Sequence, residues 1–71
     1  MPLKRYSIDG CHLSKDKIIE LGNHLEQRCF MARPIRRFGL FEAFLEETID
    51  IYTISPIIQQ CKVTEIIHAN M

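Results

Sequence analysis

The segment from Phe38 to Tyr52 constrains the fold more than any other part of the chain, because a helix there would be apolar on one half and acidic on the other. At about 100° per residue, the apolar half carries Phe38, Leu40, Phe41, Phe44, Leu45, Ile49, Ile51 and Tyr52. The acidic half carries Glu42, Glu46, Glu47 and Asp50. We therefore predict a helix over about residues 37–52, whose aromatic half must be covered by another part of the chain or by a partner.

A second amphipathic segment lies upstream. Ser14 is a suitable N-cap, and apolar residues recur after it at helical spacing, which predicts a helix over residues 15–30. Gly22 lies within the apolar side of this helix and costs about 1 kcal/mol of helix propensity relative to alanine, so we expect another element to approach the backbone closely there. Pro34 separates the two segments, and two amphipathic helices with a short link predict an antiparallel helical hairpin.

Short extended segments flank the helices at both ends of the chain. Leu3–Ile8 can form a strand that ends at the turn-forming pair Asp9-Gly10. Near the other end, Ser55-Pro56 begins a single helical turn over residues 56–61, and the β-branched residues of 62–69 then predict a strand. The two strands would pair with each other, since a lone strand cannot form a sheet.

The predicted fold class is α+β: a single small domain over residues 1–71, with two amphipathic helices in a helical hairpin and short N- and C-terminal strands. The segment after Ser55 has no clean helical periodicity, and whether 56–69 is helix or strand stays open. The alternative is an all-α, three-helix arrangement with an extended N-terminal arm. A domain of 71 residues buries only about 60% of the surface of its unfolded chain and is marginal alone.

The composition is that of a globular protein, with 46% hydrophobic residues, 25% charged residues and a formal net charge of +0. No overall positive field draws the chain to nucleic acid or to a membrane. The three cysteines are odd in number and far apart, which favours reduced thiols over a disulfide framework. No apolar run resembles a signal peptide or approaches the roughly 20 residues of a membrane span. We expect a cytoplasmic protein that does not enter the membrane.

The aromatic half of the second helix is the predicted protein interface. A chain this short has little left to cover two apolar helix faces, so a second copy or another protein would complete the core. Buried aromatics often dominate interface energies, and the candidate anchors are Phe38, Phe41, Phe44, Leu45 and Tyr52. We expect a small regulatory or scaffolding module that binds a protein partner or itself, with a homodimer favoured over a monomer closed by its own tail.

Four arginines with no acid among them form the second candidate site. They are Arg28, Arg33, Arg36 and Arg37, and Lys4 and Arg5 of the N-terminal strand could extend the group. The planar guanidinium group suits carboxylate and phosphate recognition. Three partners are therefore open: acidic residues of the same chain such as Glu42 and Glu46, an acidic protein, or DNA or RNA bound by a transcriptional regulator. Zero net charge counts against nucleic acid.

The order strand, helix, helix over residues 3–52 resembles that of ribbon-helix-helix DNA-binding proteins, in which the paired N-terminal strands of a dimer read the major groove. LKRYSI, the helix from Ser14 and the helix from about Arg37 would occupy the three places. The RPIRRFG segment departs from that family's short glycine-containing turn and polar cap, and the residues from Ser55 onward have no counterpart. The resemblance implies a dimer whose basic strand contacts DNA.

No motif with a defined catalytic or metal-binding chemistry is present. The cysteines and histidines lack the short paired spacings of zinc sites. They are Cys11, His12, His24, Cys29, Cys61 and His68. The acidic residues lack the Glu-x-x-His partner of a carboxylate metal site, and a cysteine–histidine nucleophile needs a cleft that so short a chain has little room to form. We therefore expect no enzymatic activity, no cofactor and no metal.

Overall fold

Four antiparallel strands and one helix account for most of residues 2–35 and 39–66, which are the residues that the computed structural model describes. In chain order the elements are strand β1 (Leu3–Asp9), helix α1 (Lys15–Arg28), strand β2 (Met31–Pro34), strand β3 (Leu40–Glu46), two 3₁₀ turns (Ile51–Thr53 and Pro56–Gln60) and strand β4 (Lys62–Ile66). The strands lie in the order β2-β3-β1-β4. Helix α1 connects β1 to β2 with β3 between them, which is a split β-α-β arrangement.

The predicted helix over residues 37–52 is wrong, and with it the helical hairpin, the all-α alternative and the ribbon-helix-helix order. Residues 40–46 form β3 between β1 and β2, and successive side chains of a strand point to opposite faces. The residues buried on one face are Phe41, Ala43 and Leu45. Glu42 and Phe44 lie on the other face. A broad apolar arc fits a strand as well as a helix when large apolar residues occupy both odd and even positions, and strand pairing decides between the two.

Helix α1 covers one face of the sheet and forms the core with it and with both 3₁₀ turns. The helix is confirmed, although it ends at Arg28, and Ser14 caps it by accepting a hydrogen bond from the Lys17 N–H. The close approach expected at Gly22 is also confirmed. A Cβ atom there would lie 3.2 Å from a ring carbon of Phe41, so the missing side chain lets that ring pack against the helix.

The predicted pairing of the two terminal strands is confirmed. Strand β1 pairs antiparallel with β4 on one side and with β3 on the other, which places the N-terminal strand inside the sheet. The C-terminal strand, predicted over residues 62–69, is β4 at Lys62–Ile66, and residues 67–69 lie outside the described residues. The helical turn before it is a 3₁₀ turn capped by Ser55, whose Oγ accepts from the Ile57 N–H at 3.2 Å.

Strands β2 and β3 form a hairpin that is absent from the predicted fold. The Ile35 N–H donates to the Leu40 carbonyl at 2.8 Å and closes the hairpin. Gly39 precedes β3 with φ at +90°, a conformation that favours glycine. Residues 36–38 of the connection lie outside the described residues. The sequence signal for such a hairpin is the glycine just before the apolar and aromatic residues of β3, whereas β2 itself, with the sequence MARP, gives little strand signal.

Gly39→Ala should lower the free energy of unfolding by about 1–2 kcal/mol, because an alanine is strained at this backbone conformation. Its Cβ would also lie 3.2 Å from Ile18 Cδ1. Urea denaturation followed by circular dichroism measures the change. Gly10→Ala is the control, since its Cβ would meet mainly the flexible end of Leu13 and no positive φ is required there. Equal losses for the two variants would contradict backbone strain at Gly39.

Candidate functional site

The sheet carries a helix on one side, and its other side is the candidate functional surface, named here the open face. Along each strand, residues of the core alternate with residues of the open face. In β1, for example, Tyr6 and Ile8 belong to the core, and the residues next to them belong to the open face. An antiparallel sheet commonly leaves one face to solvent, in which case that face is polar. The open face departs from that pattern because one part of it is apolar.

A row of mostly apolar residues, called here the apolar row, crosses the open face from one edge strand to the other. Side by side on β2, β3, β1 and β4 lie Met31, Phe44, Arg5 and Ile66. The Arg5 guanidinium carbon lies 5.9 Å from the centre of the Phe44 ring, a cation–π contact. Met31 is 45% exposed and Leu3, diagonal to Phe44, is 39% exposed. Phe30, the most exposed large apolar residue described, adjoins this row, because its N–H donates to the Phe44 carbonyl.

We name the set of Leu3, Phe30, Met31, Phe44 and Ile66 the apolar corner. Of this set, Phe44 is among the interface residues predicted from the sequence, and the other four residues are not. The signal for Leu3, Met31 and Ile66 is strand alternation combined with register, because they share a face with Phe44 only once the strands are placed side by side. Phe30 precedes β2, and its backbone hydrogen bond to Phe44 places it beside them.

The neighbouring row of the open face carries a buried carboxylate, Glu42, which binds two arginines. Glu42 is only 6% exposed. Its Oε2 lies 2.6 Å from Nη2 of Arg5, and its Oε1 lies 3.1 Å from Nη2 of Arg33. The three side chains belong to β3, β1 and β2, so these charge-assisted hydrogen bonds connect three strands. The arginines compensate the charge that burial would otherwise leave isolated.

These contacts set the protonation of Glu42. The hydrogen bond from Arg5 is the largest cause that holds the pKa of Glu42 below its usual value, and Arg33 adds to it. Burial acts in the opposite direction and is outweighed. Because the folded pKa is depressed, Glu42 contributes stability above the ordinary carboxyl pKa of about 4.3, and this contribution is lost as the pH falls through the folded pKa.

Glu42→Gln should lower the free energy of unfolding at pH 7 by about 2 kcal/mol, because both charge-assisted hydrogen bonds are weakened. The difference from the wild type should shrink as the pH falls below the ordinary carboxyl pKa of about 4.3, because the unfolded wild-type chain then takes up a proton at Glu42 before the folded chain does. Urea denaturation at a series of pH values measures both effects. Glu46→Gln, an exposed position four residues along the same strand and on the same face, should change stability by less than about 0.5 kcal/mol. A pH-independent difference between wild type and Glu42→Gln would contradict the role of Glu42.

The five predicted interface residues are not brought together on one surface. Phe41 and Leu45 are 8% and 1% exposed and belong to the chain's own core. Phe44 lies on the open face, and Tyr52 is 49% exposed on the first 3₁₀ turn. Phe38 lies outside the described residues. Of the five, Phe44 is therefore the residue that the open face retains as an interface candidate.

Two of the basic residues predicted to bind an external partner instead contact an acid of the same chain. Arg33 and Arg5 both bind Glu42, which is one of the two acids expected for a contact within the chain. The side chain of Arg33 is 63% exposed, so it can also be reached from outside. The same-chain alternative is confirmed for this pair of arginines.

The other basic candidates are dispersed. Arg28 donates from Nη1 to the Ile54 carbonyl at 2.9 Å and so connects the end of α1 to the residues after the first 3₁₀ turn. Lys4 lies on β1 opposite Leu45. Arg36 and Arg37 lie outside the described residues. Within the described part of the chain, no continuous arginine surface is formed.

A serine–histidine pair in the core has a structural role. Ser55 Oγ lies 2.8 Å from His24 Nδ1, and it also accepts from the Ile57 N–H. Ser55 is 1% exposed, so a substrate cannot reach its hydroxyl group. The contact joins the middle of α1 to the second 3₁₀ turn.

The cysteines are free thiols. Burial raises the pKa of the Cys29 thiol to about 11. Burial also raises the pKa of Cys61, and Asp9 and Cys11 add to the shift. Raised pKa values keep these two thiols protonated and unreactive at neutral pH. Among residues 2–35 and 39–66, no group of three or more histidine, cysteine or acidic side chains is placed to hold a metal ion.

Comparison with protein-family models, with curated proteins and with solved structures finds no match to this chain. No helix in the described part of the chain has both the length and the apolar character needed to cross a bilayer. The open face and its contacts are therefore the basis for a functional proposal.

Proposed function

We propose that this protein is an interaction module that associates with a second copy of itself through the open face. The observation that carries the proposal is the apolar corner, which lies beside a buried carboxylate that is already paired with two arginines of the same chain. A face of this kind can be covered by another apolar surface at low electrostatic cost. The proposal keeps the homodimer expected from the sequence but places its interface on a sheet rather than on a helix.

The apolar corner supplies the attraction. Leu3, Met31 and Phe30 are each more than a third exposed and lie at the same end of the sheet. Phe44, held under the Arg5 guanidinium group, lies between them and is half-buried. Clustered exposed apolar side chains mark interaction sites more often than single ones do. In a twofold arrangement each corner would pack on the same surface of the partner.

The charges of the open face favour a second copy over a polyanion. The outward positions carry three cations and three anions: Arg5, Arg33, Lys62, Asp9, Glu42 and Glu46. A neutral face does not repel an identical face, and it does not concentrate nucleic acid around the protein. Glu42 is already withdrawn from water and paired, so covering it leaves no isolated charge. These contacts rank self-association above the nucleic-acid alternative.

The size of the open face limits the affinity. Four strands at a spacing of about 4.8 Å and seven residues at about 3.4 Å give a face of roughly 19 Å by 24 Å. Specific interfaces commonly bury about 800 Å² of accessible surface on each partner. The projected area of the open face, roughly 460 Å², is smaller than that, so we expect a weak dimer with a dissociation constant on the order of micromolar.

Met31→Lys should weaken self-association at least about tenfold, since it places a charge in the apolar corner next to Phe44. Sedimentation equilibrium over a dilution series measures the dissociation constant. Ile19→Lys is the matched control, because Ile19 is 51% exposed on the helix, on the opposite side of the sheet, and should stay within about twofold of the wild type. A wild type that remains monomeric at millimolar concentration would refute the proposal. Equal weakening by both variants would also refute it.

A further inference from the structure

A groove of about 340 Å³ lies on the side of the molecule away from the open face, between α1 and the edge strand β2. The helix contributes Ile19, Gly22 and Glu26, which recur at helical spacing, and the strand contributes Ala32 and Pro34. The ring of Phe41 forms part of the lining where Gly22 has no side chain. The groove is therefore largely apolar, and its volume is close to the lower limit of about 300 Å³ for small-ligand sites. It is large enough for one or two side chains.

The edge of β2 next to the groove has backbone groups that do not face β3. The Ile35 N–H donates to Leu40, which makes these two residues a hydrogen-bonded pair of the antiparallel ladder. Hydrogen-bonded pairs alternate with non-bonded pairs. Arg33 is therefore the next β2 residue bonded to β3, and Ala32 directs its N–H and its carbonyl toward the free edge. A strand added to that edge can both donate to Ala32 and accept from it.

Pro34 restricts what can bind along this edge. By the same alternation the backbone of Pro34 faces the free edge of β2, where it offers a carbonyl oxygen and has no N–H. An added strand would gain the two bonds to Ala32 and one to the Pro34 carbonyl, and the ladder would continue no further. A proline in this place also limits indiscriminate edge-to-edge pairing. Affinity must therefore come mainly from a side chain placed in the groove.

The rim of the groove indicates the charge of the partner. Glu26 is exposed at the rim, and within the described part of the chain no cation lies within ion-pair distance of it. Arg33 lines the opposite rim but is bound to Glu42 on the open face. The carboxylate of Glu26 can accept a cation from the partner, whereas the guanidinium group of Arg33 is held by Glu42 on the other side of the sheet.

We infer that this groove binds an extended segment of a different protein, which adds a strand to β2 at Ala32, places one apolar side chain against Phe41 and sets a basic residue beside Glu26. Strand addition with a pocket for a single side chain is a general mode of peptide recognition. The groove and the open face lie on opposite sides of the sheet. One molecule can therefore bind a second copy and a peptide at the same time, and the two sites can be tested separately.

The test uses the full chain labelled with nitrogen-15 and a capped hexapeptide of threonine and valine that carries a lysine and a leucine two positions apart, so that both side chains lie on the same face of the added strand. The peptide should shift the amide signals of Gly22 and Ala32 and slow hydrogen exchange at the Ala32 N–H, which faces solvent in the free protein. A peptide with serine in place of leucine should bind at least tenfold more weakly. Ile19→Lys should weaken binding of the leucine peptide, and Met31→Lys should leave it unchanged.

Four outcomes would overturn the inference. Equal binding of the leucine and serine peptides would exclude a side-chain site, and shifts confined to the apolar corner would place the peptide on the open face. Equal binding of a capped leucine alone would show a site for small apolar molecules without strand addition. Loss of self-association in Ile19→Lys would show that a second copy occupies the groove. Failure of self-association in the wild type would refute only the proposed dimer, because peptide binding can be measured on a monomer as well.

Discussion

The alternation of side chains along β3 is the constraint on which the rest of the structure depends. Its inward residues pack beneath α1, and the ring of Phe41 reaches the helix only because Gly22 has no side chain. Ala43, which lies between Phe41 and Leu45 on the inward side of β3, is small and fully buried. The residues of β3 on the opposite side, Glu42 and Phe44, belong to the charged row and the apolar row of the open face. One strand thus determines both how the core closes and what the other side of the sheet presents.

The charge cluster around Glu42 specifies the fold more than it stabilises it. A buried ion pair seldom adds much net stability, because removing the charges from water costs nearly as much as their attraction returns. The cluster is sensitive to register, however. A slip of two residues in either neighbouring strand would move Arg5 or Arg33 about 7 Å from its carboxylate oxygen. Glu42 would then be left buried with its charge only partly compensated, which disfavours misregistered sheets.

Much of the fold outside the middle of the chain could be predicted from local signals. The helix after Ser14 and the close approach at Gly22 follow from capping and helix propensity, which act over a few residues. The pairing of the terminal strands follows from the need of each short strand for a partner. Residues 40–46 could not be assigned in this way. Their large apolar side chains satisfy a helical arc and a strand alternation alike, and the contacts that decide come from β1 and β2, which are distant in sequence.

The candidate site shows the same limit. Phe44 could be named as an interface candidate from its size, but Phe41 and Leu45 could be separated from it only once the strand was known, because strand alternation places them in the core. The pairing of Arg33 with an acid of its own chain was among the open alternatives for the arginines. The choice of Glu42 as that acid, and its burial, depend on the register of three strands. Sequence spacing does not encode that register directly.

The separation of the α-protons of Ala32 and Ala43 is the most direct test of this arrangement. These residues form a non-hydrogen-bonded pair of β2 and β3, for which the Cα atoms lie about 4.5 Å apart. A proton nuclear Overhauser experiment on the full chain should therefore show a strong cross-peak between the two α-protons. If that cross-peak is missing, and residues 40–46 instead show contacts between each α-proton and the amide proton three residues later, β3 is a helix. The open face and the groove would then both lose their basis.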